Sequence, residues 1–277
     1  MVGNFVNFVL SNNHDESNQV EIIYKKQIYR ISDSKLSQIR NNLFDKTRYK
    51  WVEINFNTWE IKDYGWQISW RKVYVIEYLF ALITFPYMVN NFWRIDVLLW
   101  IIHYMKRLYE SIYIHKFSAQ TMPLKNLYKN TLYYGGAGLI LGYFSNIEDL
   151  SFKNLVNNTL YYNNVIGLWI LCQLGNGYCH YYLSTLRNDD NNNFKHMIPK
   201  NYLFQLVCCP NYTFEIMGWL LFALLSTSYN LYFIVKLLFS FIGAYQMYVW
   251  SKGKHRRYKK LYENNYCVSK LLIPFFI

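Results

Sequence analysis

The 277-residue chain is short of acid and of cysteine: 17 Asp and Glu stand against 29 Lys and Arg, with five cysteines in all. It also lacks several patterns that known chemistries require. There is no zinc-ligand spacing, no Ser-His-Asp signature and no glycine-rich dinucleotide fingerprint, so no metal is expected. The cysteines are at 172, 179, 208, 209 and 267, and four lie in or beside apolar segments, where they read as buried reduced thiols. A cleavable signal peptide is missing too. Residues 2–10 are apolar but have no basic flank and no clear small-residue cleavage site, so insertion is expected to depend on internal segments. Nor is the chain poor enough in apolar residues to be disordered.

What it has is 53% hydrophobic residues, 20% aromatics and a net charge of +12. The mean hydropathy of −0.05 conceals a clumped pattern, because 28 tyrosines and many asparagines score as polar. Basic residues flank the apolar runs, as at Lys106-Arg107 and from Lys252 to Lys260. That fits the positive-inside pattern of a membrane protein better than a nucleic-acid groove. The expected partner is therefore the lipid bilayer, with no nucleic acid. Apolar runs at 73–89, 93–114, 131–144, 160–186, 203–225 and 229–250 predict an all-α polytopic membrane protein of six or seven transmembrane helices over 61–277. Residues 1–60 are mixed. β-like stretches at Val20–Tyr24 and Trp51–Phe56 flank an amphipathic Ile31–Leu43 segment, which predicts a small soluble N-terminal α+β domain.

An ionisable group inside an apolar run costs roughly 2.5–3.5 kcal/mol on insertion scales, so each is a functional hypothesis. Glu77 is the first; its alternative is a surface-reaching carboxylate paired with Lys72 or Arg71. Helical spacing puts His103 and Tyr104 each on a face with Arg107. Asn176, His180, Ser184 and Arg187 form a polar stripe on a largely apolar helix. His255, Tyr258, Lys259 and Tyr262 share a face of a basic segment suited to a phosphorylated ligand, or simply to topology. The stretch Cys209-Pro210-Asn211-Tyr212-Thr213-Phe214-Glu215 opens another run, with Pro210 placed to start a helix. Tyr212 and Glu215 then lie three apart near the membrane surface, as an aromatic anchor with a helix cap or as groups that handle a proton. The residues alone reach a membrane protein with an internal polar cavity.

These stretches in order resemble the very-long-chain trans-2-enoyl-CoA reductases of the steroid 5α-reductase superfamily. The resemblance runs from Asp63 to the terminus. It is densest at Gln67-Ile68-Ser69-Trp70 through Glu77-Tyr78-Leu79, and at His103 to Glu110 with His115-Lys116-Phe117-Ser118. It continues at Thr121-Met122-Pro123-Leu124 with Lys129-Asn130, at Cys209 to Glu215, and from Gln246-Met247 through Tyr258 to Ile273-Pro274-Phe275. The resemblance implies a multi-pass endoplasmic-reticulum enzyme whose active site faces the cytosol, with residues 1–60 as a ubiquitin-like cytosolic domain. It implies NADPH-dependent reduction of a long-chain trans-2-enoyl-CoA in the last step of fatty-acid elongation, among other elongation enzymes. Carried over, Tyr212 is the proton donor to Cα. Glu77 and Tyr104 hold the substrate carbonyl, Glu77 either as a buried acid or by orienting the Tyr104 hydroxyl. Arg107, Asn176, Arg187, Glu215, His255 and Tyr258 fall where relatives bind NADPH. Two departures stand out: Met197 replaces a basic residue, and His180 replaces the acid of the steroid branch. A silent subunit of the elongation complex and a steroid or polyprenol reductase are the alternatives.

Overall fold

In a computed structural model of the chain, the described residues are 20–24, 27–31, 50–55, 60–117, 121–148, 150, 159–187, 198–227, 229–262 and 270–272. The chain divides into two compact units, residues 1–73 with 119–129 and residues 74–118 with 130–277.

The first unit carries two antiparallel sheets. Strands β1 (Val20–Tyr24) and β2 (Gln27–Ile31) form a hairpin, with Val20 opposite Ile31 and Tyr24 opposite Gln27. Strand β4 (Glu60–Ser69) is central between β3 (Lys50–Asn55) and β5 (Thr121–Pro123), with a register shift at Trp51/Val52. Two of these strands fall on the expected β-like stretches; most of the expected Ile31–Leu43 helix lies outside the described residues.

Helices fill the second unit, each following one of the apolar runs: α1 (Trp70–Met88), α2 (Ile95–Tyr109) extended by a π-helical turn (Glu110–Ile114), and α3 (Leu124–Ser145). Next come α4 (Thr159–Thr185), the short α5 (Tyr202–Leu206), α6 (Pro210–Leu224) and α7 (Leu231–Tyr262). One described stretch, Leu231–Lys260, meets by itself the length and hydropathy of a membrane span. The run at 203–225 is broken rather than continuous. Val207 to Cys209 leave the helix, and the N–H groups of Cys208 and Cys209 donate to Lys270 O and Leu271 O. Pro210 then restarts it at N1, where its missing N–H would have no partner anyway.

The buried face of α4 explains its packing. Tyr162, Val165, Trp169, Cys172, Gln173, Asn176, Cys179 and His180 recur at three- and four-residue steps, one stripe of an α-helix. Gly175 beside that stripe allows close approach to α6: a Cβ there would stand 2.8 Å from the Phe214 ring. Gly142 does the same for α3 against α1, where a Cβ would meet Phe85 O at 2.6 Å. The core centres on Trp100 of α2, fully buried, its indole N–H donating to Ala81 O at 2.8 Å. Around it pack Phe85 and Tyr104, each with ring centroids at 4.7 Å, then Trp219 at 5.6 Å and Phe239 at 6.1 Å. Helices α1, α2, α6 and α7 thus share one aromatic centre, which sets how each is rotated. Cys172, Cys179, Cys208 and Cys209 are buried free thiols.

Candidate functional site

The last turn of α2 puts Arg107 at the middle of a buried polar network. Its Nη2 donates to the Tyr78 hydroxyl at 2.7 Å and its Nη1 to Glu110 Oε2 at 2.9 Å. The guanidinium also lies 5.0 Å from the Tyr78 ring centroid. His180 Nδ1 donates to the same Glu110 oxygen at 2.9 Å, so two donors converge on one carboxylate. The π-helical turn makes this possible. Its wider period lets the His115 N–H bond Glu110 O at 2.7 Å and stacks residues five apart. Burial, with the charge of Arg107 adding to it, pulls the His115 imidazole down to about 2.

Glu110, His115 and His180 hold their ligand atoms within 4.8 Å of one another, a spacing a metal ion could use. Arg107 Nη1, at 2.9 Å from Glu110 Oε2 and 3.0 Å from His180 Nδ1, already supplies a positive charge at that point.

The network continues into α4 and α6 through Asn176. Lys106 donates to Asn176 Oδ1, and Asn176 Nδ2 donates to Asn211 O at 2.8 Å and Glu215 Oε2 at 3.3 Å. Lys106 also pairs with Glu110 Oε1 at 3.2 Å. Lys106, a member of a basic patch flanking an apolar run in the sequence, thus belongs to the buried network, and its i,i+4 relation to Glu110 is the sequence signal for it. Three polar atoms here are buried without a hydrogen-bond partner among the described residues: Arg107 Nε, Asn211 Oδ1 and Glu110 Oε1, the last at ion-pair distance from Lys106. An unmet donor and an unmet acceptor are unusual in a folded interior and suit a bound polar ligand.

Glu77 is 1% exposed, so the surface-reaching alternative fails. Its Oε2 accepts from Asn130 Nδ2 of α3 at 2.8 Å, while Arg71 and Lys72 are exposed. Tyr104 is equally buried, packed among Trp100, His103, Tyr78 and Trp219. Among the described residues its hydroxyl makes no hydrogen bond, so the donor is free; the hydrogen bond of Glu77 goes to Asn130 and not to Tyr104.

Tyr212 stands in a different setting from its helix neighbour Glu215. It is half-buried against Cys208, Cys209 and Leu272, its ring 6.2 Å from Trp250 and beneath Lys254 Nζ at 4.6 Å. Tyr74 of α1 is an electrostatic neighbour of both Tyr212 and Glu77. Tyr258 joins the same Cys208–Cys209 cluster, and His255 is half-buried one turn earlier. On the expected face of this segment His255, Tyr258 and Tyr262 are half-buried and Lys259 is exposed; Lys254 is half-buried as well. At the end of α4, Arg187 O accepts from Lys116 Nζ at 3.0 Å. Burial lowers the Arg187 guanidinium from its ordinary value, and Tyr258 opposes this. Of the expected polar stripe, Asn176 and His180 enter the network, while the Ser184 hydroxyl donates to Tyr181 O of its own helix. Met197 lies outside the described residues.

Comparison with known proteins places the chain in one family. The family model described as 3-oxo-5-alpha-steroid 4-dehydrogenase matches residues 120–277. A very-long-chain enoyl-CoA reductase of Dictyostelium discoideum is 36% identical over 235 residues, 80% of this chain and 75% of that protein. A Schizosaccharomyces pombe protein described as an enoyl reductase is 39% identical over 234 residues, 78% of this chain and 75% of its own. A Caenorhabditis elegans protein described as a very-long-chain enoyl-CoA reductase is 31% identical over 237 residues, with shares of 78% and 74%.

Proposed function

This chain belongs to the 3-oxo-5-alpha-steroid 4-dehydrogenase family, and on that premise we propose that it is a very-long-chain trans-2-enoyl-CoA reductase. It reduces the 2,3 double bond of a long-chain enoyl-CoA with NADPH, in the last step of the elongation cycle. It does so as a multi-pass protein of the endoplasmic reticulum, six or seven helices deep, with its site toward the cytosol, a ubiquitin-like domain over 1–60 and other elongation enzymes as neighbours. The observation that carries the reading is a buried carboxyl and a free buried phenol, Glu77 and Tyr104, with a second phenol, Tyr212, at a helix entrance and sharing the neighbour Tyr74 with Glu77.

The residues present fit a nicotinamide cofactor. Arg107 Nε and Asn211 Oδ1, an unmet donor and an unmet acceptor, match what a carboxamide offers. Arg107, Asn176 and Glu215 would hold that end, and Arg187, His255 and Tyr258 the phosphate-bearing end. When bound, NADPH supplies the hydride that reaches Cβ of the substrate.

The protein's own part is charge and proton. As negative charge develops on the thioester oxygen, the free Tyr104 hydroxyl donates to it, with the buried Glu77 acid as the second donor. A donor already in place stabilises the transition state more than the ground state. Asn130 fixes Glu77 through its 2.8 Å bond, so the carboxyl does not swing out of register. Tyr212 delivers the proton to Cα as general acid. The aromatic packing around Tyr104 excludes water, which strengthens each of these interactions.

NADPH oxidation in membranes carrying the protein tests the reading, with a long trans-2-enoyl-CoA set against an enone steroid. Turnover of the enoyl-CoA is expected, and Tyr212→Phe should lose roughly 100- to 10,000-fold of it at unchanged protein level. Turnover of the steroid alone would move the chain to another branch of the family. No turnover with any acyl length would leave a silent subunit.

A further inference from the structure

Helix α7 lays Trp250, Lys254 and Tyr258, each four residues apart, along the side that packs on Tyr212 and its surroundings. Lys254 differs from the other basic residues of this segment. Lys252, Arg256, Arg257, Lys259 and Lys260 are exposed, while Lys254 is half-buried. Its ammonium sits 4.6 Å from the centroid of the Tyr212 ring. Among the described residues no carboxylate pairs with it. A cation taken partly out of water without an acidic partner keeps its charge for whatever lies in front of it, and that is a phenol.

We propose that Lys254 is the positioning residue for proton delivery by Tyr212, holding the phenol in place and stabilising the negative charge left on it when its proton goes to the substrate. The inference rests on the reading of Tyr212 as general acid and adds to it a residue outside the set carried over from relatives. The attraction grows during the reaction. A neutral phenol offers the ammonium its ring quadrupole and a hydroxyl lone pair to bond, whereas a phenolate offers a full charge spread over oxygen and ring. Lys254 therefore acts more on the transition state than on the resting enzyme. The same lysine could instead grip a phosphate of CoA or NADPH, which would act on binding rather than on the chemical step.

The test uses full-length protein in membranes, with rates normalised to folded protein measured by size exclusion in detergent. Lys254→Met is expected to lower kcat roughly 10- to 100-fold with the KM values for NADPH and enoyl-CoA unchanged. Lys254→Arg keeps most of the rate, since the charge is retained. The solvent deuterium isotope effect on kcat rises in Lys254→Met, because proton delivery then limits turnover. Adding Lys254→Met to Tyr212→Phe costs nothing further, as two residues acting through one step are not additive. A raised KM for NADPH with kcat intact, or an undiminished loss in the Tyr212→Phe background, overturns the pairing. If Tyr212→Phe itself keeps full activity, the reading of Tyr212 falls and the pairing with it. If Tyr212→Phe is impaired while Lys254→Met turns over normally, the pairing alone falls.

Discussion

Two buried arginines bracket helix α2, Arg94 at its N-cap and Arg107 in its last turn, and the protein treats them differently. Arg94 is saturated. Its Nε and Nη2 grip the two oxygens of Asp96 at 3.0 and 2.7 Å, and its Nη1 donates to Ser145 O and Glu148 O, both at 2.8 Å. Asp96 in turn accepts from the Tyr232 hydroxyl at 2.9 Å, tying α2 to α7. Arg107 shares its donors with Tyr78 and Glu110 and leaves Nε unmet. Equal burial therefore does not mean equal purpose. A charge whose every donor meets the protein is a clamp between helices, and one with a donor to spare has capacity for a ligand.

The contrast breaks most sharply at Asp96. Asp96→Ala removes the carboxylate that Arg94 Nε and Nη2 both grip, which should cost about 3–5 kcal/mol and strip most folded protein from a thermal melt in detergent. At the other end, Arg107→Lys is expected to fold, because Lys106 and His180 remain against Glu110. It should weaken NADPH binding roughly 10- to 100-fold in a fluorescence titration, the loss of a charged donor fork. Equal destabilisation by the two substitutions would dissolve the distinction between clamp and site. The smallest effect is expected at Gly175→Ala. Its new Cβ pushes the Phe214 ring from 2.8 Å, at about 1–3 kcal/mol, and shifts the start of α6 that carries Tyr212. Its melting point should fall less than that of Asp96→Ala while turnover also falls; a lower melting point with normal turnover would mean that α6 absorbs the strain away from its entrance.

Much of this was legible in the chain. Apolar runs mark helices because burying one face is a local, periodic property, and α1, α2 and α4 follow their runs to within a few residues. Asn176, His180 and Arg107 were recognisable from cost, since a polar group inside an apolar run demands a partner. The partners were harder. Asn130 is 53 residues from Glu77, and no periodicity links an amide on α3 to a carboxyl on α1. Lys106 looked like a topological charge because its salt bridge to Glu110 and its bond to Asn176 require α4 to be packed alongside.

By itself the sequence determined which segments are helical, which polar residues stand inside apolar runs and which family the chain belongs to. Each is a property of composition over one or two turns. Tertiary structure decided which way each helix is rotated. At 100° per residue, a break at Val207 to Cys209 or a wider turn at Glu110–Ile114 is enough to bring a different side chain to the front. That rotation sets Lys254, and not Lys259, against Tyr212. It also separates Tyr212 from Glu215, three residues away on the same helix, so that one phenol faces a lysine and one carboxylate joins the Arg107 network. Only packing against α7 and α4 makes that choice, because the pattern along α6 is the same either way.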